Sequence, residues 1–420
     1  MDKKSVNQTA KWRRLGSKPK KRKFHGVLPH DHEANTSYAS ASALKLQQSK
    51  DTSFDVHVDQ TSGYSIIQFF LVFSTLQEYL KCKTCDKDIS FTKYGQRGLG
   101  FKVCVTCECG ERYINSCHMI SIGYEINRRL LYIMRLIGVG LSGINKLCGL
   151  MELGTGISSS IYYKIIDSIT IAVKSVYDVV MLKAVREEKL LNAQHGEPED
   201  ILIVSGDGSW QKRGFSSLIG IISLIYKRSK KIANVAIRSS YCKACEKKKG
   251  TEKTIEYAAW YETHKRDCSA NHSGSAGKME VDGVCEMFLQ FLEKREMLER
   301  CLGGNTQNNN ESFNNCVWSM APKHIFCGKK IVEIACQTAA CIFNQGFHPV
   351  LKILEVMGVK IGPIAAQFAA DCDRTCIRVA NRRSTDASKE ARTKRRQAIL
   401  DENVHYEEDE GIMYGAGIAD

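Results

Sequence analysis

Cysteine and histidine spacing offers the first chemistry in this sequence. Cys82-x2-Cys85 precedes a second group, Cys104, Cys107 and Cys109, and further on Cys242-x2-Cys245 precedes His264, Cys268 and His272. A thiolate is the soft ligand that zinc prefers, and two cysteines two residues apart can grip one ion from a tight turn. The first group therefore predicts a zinc knuckle made by Cys82 and Cys85 with two cysteines of the later cluster. Cys104-x2-Cys107 and Cys107-x-Cys109 are both available, and Gly110 favours Cys107 and Cys109, because the chain must turn after a knuckle cysteine. The second group predicts a set of Cys242, Cys245, Cys268 and His272, with His264 as the spare ligand. About two structural zinc ions per chain are the expectation, and buried free thiols are the plain alternative.

The compartment bears on that choice. The chain opens Met-Asp-Lys-Lys and continues polar and basic, without the apolar stretch of a secretory signal, so its 18 cysteines are expected in a reducing environment. Paired cysteines there bind metal more often than they form disulfides.

Carboxylates are the second candidates. Asp207 stands in Gly206-Asp207-Gly208-Ser209-Trp210 just after a β-branched run, and Glu311 stands in the asparagine-rich stretch Asn309-Asn310-Glu311. Read alone, an Asp-Gly pair is a turn. Hard divalent cations do prefer oxygen ligands, so these are the acids to follow.

The elements that must position these groups follow from periodicity. Residues 1 to about 60 have no apolar period and read as a solvated tail, within which Lys18, Lys20, Lys21, Arg22 and Lys23 form a nuclear import signal or a phosphate-binding arm. Residues 61–120 read as the knuckle module. Residues 121–195 read as helices, with Ile126, Leu130, Ile133 and Ile137 in one stripe and Val173, Val176, Tyr177, Val180 and Ala184 in another. Ser158 to Ser160 can cap the last of them. Helices around the glycine turn 138–143 match either a helix-turn-helix, with Lys146 or Lys164 near phosphates, or a plain helical domain.

Past a polar linker, 201–205, 218–226 and 232–238 predict three strands of an antiparallel meander. The second cysteine group follows at 241–273, then a helix over about 281–298, a polar turn over 303–310, and helices over about 331–343 and 349–357. Residues 366–420 read as a charged tail with a basic stretch at 378–396 and an acidic run through Glu407 to Glu410. The fold class is α+β.

Composition bounds the partners. Lysine and arginine outnumber aspartate and glutamate by 60 to 46, a formal charge of +14, so nucleic acid leads. The longest apolar cluster, Ile66 to Phe73, is too short to cross a bilayer, and nothing points to a small-molecule substrate.

Longer motifs add a resemblance. Asp207-Gly-Ser-Trp-Gln-Lys-Arg-Gly-Phe-Ser-Ser, Tyr241-Cys-Lys-Ala-Cys, Asn271-His-Ser-Gly-Ser, Met279-Glu280 and Asn309-Asn-Glu-Ser-Phe-Asn-Asn with Val317-Trp318 resemble the core of Mutator-like transposases. Arg97-Gly-Leu-Gly-Phe-Lys, Tyr124-Glu-Ile-Asn-Arg-Arg, Leu147-Cys-Gly-Leu-Met and Tyr414-Gly-Ala-Gly-Ile agree, extending the similarity over about residues 60–418.

The resemblance implies a ribonuclease H-like core in which two aspartates and a glutamate hold two Mg²⁺ or Mn²⁺ ions for strand cleavage and transfer. It assigns Asp207 as the first aspartate and Glu311 as the glutamate. It implies double-stranded DNA at transposon ends as partner, a nuclear site of action, and leaves a homo-oligomer open. The expected second aspartate, on a later strand beyond Met279-Glu280, has no counterpart in this chain. Neither a fourth nor a fifth strand fits in 303–310, and an incomplete, catalytically defective core is the expectation. An active transposase, completed by another chain, and a zinc-stapled interaction protein are the alternatives. Metal-dependent strand cleavage separates the first of these, and salt-dependent duplex binding the second.

Overall fold

The computed structural model describes residues 40–48, 56–121, 123–154, 156–212, 217–293, 297–300, 308–385, 390–394 and 397. The basic run from Lys18 to Lys23, the acidic run from Glu407 and the Tyr414 motif lie outside these residues.

A short helix α1 (Ala41–Gln48) is followed by α2 (Phe69–Tyr79), which lays Phe69 and Phe73 on an antiparallel sheet β1 (Ser90–Arg97), β2 (Gly100–Cys107) and β3 (Gly110–Asn115). The contact is aromatic, with Phe69 to Phe101 and Phe73 to Phe91 ring centroids 5.7 and 5.0 Å apart. The knuckle cysteines thus ride on a sheet. A small hairpin, β4 (Met119–Ile120) and β5 (Gly123–Tyr124), leads into three helices, α3 (Glu125–Leu136), α4 (Leu141–Leu150) and α5 (Ser159–Gln194).

The α3 and α4 axes bend by 117° at their glycine-containing link. Ser158 caps α5, its Oγ accepting from the Ile161 amide at 3.4 Å. The expected α5 stripe of Val173, Val176, Tyr177, Val180 and Ala184 is buried throughout. The stripe expected on α3 is displaced: Leu131 and Tyr132 are fully buried, whereas Ile133 and Ile137 are exposed. Arg135 and Asn127 take inward positions because each satisfies backbone groups, Val139 O by one and Leu99 N and Arg97 O by the other.

The second sheet begins with the meander β6 (Ile201–Trp210), β7 (Ile219–Tyr226) and β8 (Ile232–Ser239). Then come α6 (Lys243–Lys247), α7 (Ile255–His264), α8 (Ala276–Glu293), β9 (Met297–Arg300), α9 (Asn308–Met320), α10 (Lys329–Gln345), α11 (His348–Val356) and α12 (Pro363–Ser384). The helix expected over about 281–298 is Ala276–Glu293, and the last two expected residues, Met297 and Leu298, lie in a strand instead. That strand lies before the 303–310 stretch in which none fitted. Strand order is β8-β7-β6-β9, with β9 parallel to β6 in the register Ile201 to Met297 and Val204 to Arg300.

Every residue of β7 is buried, because helices cover both faces of the sheet. Leu202, Val204, Ile222 and Leu224 pack on Met287 and Phe291 of α8. Ile219, Ile221 and Ile225 pack with α5, α9 and α10, where Val173, Phe313 and Cys336 lie. At the far end, Glu188 of α5 accepts from the Arg228 and Ser229 amides at 3.0 and 2.8 Å. Asn344 of α10 pairs both backbone groups of Ile232. Among the described residues no single helix is long and apolar enough to cross a membrane.

Candidate functional site

Alternation along β6 sends odd and even residues to opposite faces. Asp207 and Ser209 turn toward α9, and Gly206 and Gly208 toward α8. Glycine at 208 leaves room for two side chains, because a Cβ there would meet the Trp210 ring at 2.9 Å and Glu280 Oε2 at 3.0 Å and would displace them. On the α9 side, Asn314 Nδ2 donates to Asp207 Oδ2 at 2.9 Å and Trp318 Nε1 donates to Ser209 Oγ at 2.8 Å. Glu311, Asn314 and Trp318 share a helix face because they sit at i, i+3 and i+7.

Burial raises the Asp207 carboxyl above its ordinary value, the Asn314 and Gly208 N–H groups oppose the rise, and the Glu311 charge adds to it. The structure thus brings the two sequence-expected acids into one electrostatic neighbourhood, with Glu311 on the exposed side. Asn314 and Trp318 were not anticipated as site residues, although the i, i+3, i+7 spacing from Glu311 would have found both.

The first metal-ligand cluster joins two turns. Cys82 and Cys85 flank a loop in which the Asp86 amide donates to Cys82 O and the Cys82 amide to Lys87 O, each at 2.8 Å, with Asp86 in the left-handed region at φ 55. Cys107 ends β2, and Cys109 sits in the turn before Gly110, whose φ of 114 suits glycine. The four ligand atoms of Cys82, Cys85, Cys107 and Cys109 lie within 4.8 Å of one another. Cys104 stays buried on β2, its Sγ 3.6 Å from Thr106 Oγ1. Backbone N–H groups of Cys85 and Thr84 hold the Cys82 thiol down at about 6, as suits a thiolate ligand.

The second cluster gathers Cys242, Cys245, His264 and Cys268, again within 4.8 Å. Cys242 is the N-cap of α6 and Cys245 lies within that helix, His264 ends α7, and a single 3-10 turn, Lys265–Asp267, brings Cys268 back. Cys245 and Cys268 sulfurs are 3.6 Å apart, and Cys242 Sγ is 3.3 Å from His264 Nε2. Zinc at about 2.3 Å from sulfur and about 2.0 Å from nitrogen in a tetrahedron sets edges of about 3.8 and 3.5 Å. The spacing fits zinc, and both clusters could hold one. Burial works against the Cys242 thiolate, yet the Cys245, Ser269 and Ala244 amides and His264 hold it at about 6.

His272, the expected fourth ligand, is not brought to this cluster. Its Nδ1 faces Asp282 Oδ2 at 3.2 Å and its Nε2 lies 3.1 Å from Ser275 O, which ties the loop to α8. His264 takes the place, its ring stacked on Trp260 at 4.6 Å. Asn271 anchors the returning loop on β8, accepting from the Ser239 amide and donating to Ile237 O.

No curated protein and no solved structure matches this chain. A family model described as Mutator-like transposase matches residues 63–304, which span the knuckle sheet, the helical region, the meander, the second cysteine cluster and β9. That span is more than half of the chain, and the chain belongs to the Mutator-like transposase family.

Proposed function

We propose that this family member is a zinc-stabilised nuclear protein that binds duplex DNA, of the kind found at transposon ends, and does not cut it. The observation that carries the reading lies beside Asp207. The next strand over, β9, has its single acid, Glu299, opposite Ile203. That is four residues short of Asp207, about 13 Å along a strand. From Arg300 to Asn310 the sequence contains no aspartate or glutamate at all.

The core reads as ribonuclease H-like on its topology: three antiparallel strands, a fourth parallel to the first, and helices on both faces. In such a core two divalent cations need a shared set of oxygen ligands. Here the half-buried Asp207 already has Oδ2 bonded to Asn314, and its one acidic neighbour on α9, Glu311, is exposed. This donor set does not fit a pair of Mg²⁺ or Mn²⁺ ions.

DNA binding is supported by the family, by the formal charge of +14, and by the 117° bend of α3 on α4, in the range of a helix-turn-helix. The run from Lys18 to Lys23 supplies the nuclear import signal in this reading. The test is a plasmid nicking and strand-transfer assay with Mg²⁺ and with Mn²⁺, beside duplex binding titrated against salt. The expected result is binding that weakens steeply with salt and no cleavage. Cleavage abolished by Asp207→Asn would overturn the inactive reading, and salt-insensitive or absent duplex binding would overturn the DNA reading.

A further inference from the structure

Beyond the meander's Asp207 end, the surface is hollowed into a groove that the carboxylate site does not use. Its walls come from the start of α5, the strand-to-knuckle link after β8, and the segment between α9 and α10. Tyr163, Tyr241 and Phe326 contribute aromatic rings and Lys243, Lys329 and Lys330 contribute ammonium groups, and none of the residues lining it is acidic. The groove adjoins the Asp207 strand end. Gln211 follows directly on β6, its Nε2 donates to Ile325 O at 3.2 Å, and its amide donates to Ile219 O at 3.1 Å.

The rings are unusual for where they sit. Phe326 is 55% exposed and Tyr163 62% exposed, although neither is needed to close the core. Tyr241 holds Phe326 edge-on, with centroids 5.6 Å apart at 90°, and Tyr162 holds Tyr163 likewise at 5.4 Å and 82°. Each exposed ring is therefore braced by a second ring while more than half of its surface stays open. The flanking cations have only rim partners: Lys330 pairs with Asp167 at 2.7 Å and Lys329 with Glu333 at 3.4 Å. The Lys330 pair is exposed, so it is weak and exchanges readily for a phosphate, whereas the Lys329 pair is half-buried within its helix.

We propose that this groove binds unpaired nucleotides of single-stranded DNA, with bases stacked on Phe326 and Tyr163 and backbone phosphates on Lys243, Lys329 and Lys330. Braced rings beside cations are what a sequence-tolerant single-strand site requires, because every base has a face to stack and every nucleotide a charge. A duplex satisfies the cations but keeps its bases stacked on each other, so the rings select for unpaired ends. The inference rests on the DNA-binding reading above and adds a form of DNA that the reading does not name.

The experiment uses the full chain with its zinc and fluorescently labelled oligonucleotides, a 12-nucleotide oligo-dT strand and a duplex of equal length. Phe326→Ala and Tyr163→Ala remove exposed rings, and thermal unfolding verifies that each variant stays folded. We expect each to weaken oligo-dT binding about tenfold while duplex binding changes less than twofold. Lys243→Ala is expected to reduce the salt dependence of strand binding by about one phosphate contact. Unchanged oligo-dT affinity in both ring variants overturns the groove, as does a wild-type chain that binds duplex but no single strand; the DNA reading survives either. Binding to neither form overturns both. An acidic polyglutamate peptide that binds as tightly as oligo-dT and is weakened by the same variants makes the groove a protein site and overturns the proposal.

Discussion

Asp207 holds a charge where the protein shelters it poorly. Its folded pKa is raised, chiefly by burial, above the ordinary 3.8. The folded state therefore holds a proton more tightly than the unfolded chain, so the ionised carboxylate costs stability at neutral pH. That cost fades as pH falls through the folded pKa towards the ordinary value. Asp207→Asn, studied without added Mg²⁺ or Mn²⁺, is thus expected to raise Tm at pH 7 and to raise it progressively less on acidification. A lower Tm at pH 7 would mean that the carboxylate is stabilising where it stands. For the second cluster, His264→Ala is expected to release one zinc per chain in elemental analysis, whereas His272→Ala keeps the wild-type content. Spacing located the cysteines of both clusters but could not choose between these histidines. Each lies four residues from Cys268, and the choice falls to α7, which ends on His264, and to Asp282, which draws His272 away.

Secondary structure was legible where one face of an element is buried along its whole length. The α5 stripe and the β6, β7 and β8 meander show this, since β-branched runs bounded by turn residues leave little choice of period. The knuckle sheet is harder to see in the sequence, because the alternation of Phe101, Val103 and Val105 with Lys102 and Thr106 is interrupted by Cys104, which is itself buried. Strand β9 was hidden for another reason. Met297 and Leu298 continue the apolar pattern of α8, and only pairing with β6 makes Met297 to Arg300 a strand. The same burial logic gives a contrast on α5. Ile169 is fully buried and Ile171 is 71% exposed. Urea unfolding is expected to show Ile169→Ala destabilised by about 2–5 kcal/mol and Ile171→Ala changed by less than about 0.5 kcal/mol, with equal slopes.

Taken as a whole, the molecule joins two putting-together strategies: hydrophobic layers around the second sheet, and metal ligands where loops carry little apolar surface. Chelation by EDTA is therefore expected to lower Tm, and readdition of zinc to restore it, with each site worth about 2.7 kcal/mol when zinc stands at a hundred times its Kd. A Tm indifferent to chelator would leave both clusters as reduced thiols. The long helix α5 ties the parts together. It has 36 residues, roughly 54 Å of rod at 1.5 Å per residue. Its buried residues run from Tyr162 to Asn192, it touches α3, α10, α11 and β8, and its Glu188 clasps the β7–β8 turn. A beam seated along its whole length offers no pivot. A load applied to α3 passes through α5 to α10, α11 and the edge strand β8, and reaches the strand carrying Asp207 only through the sheet's own hydrogen bonds.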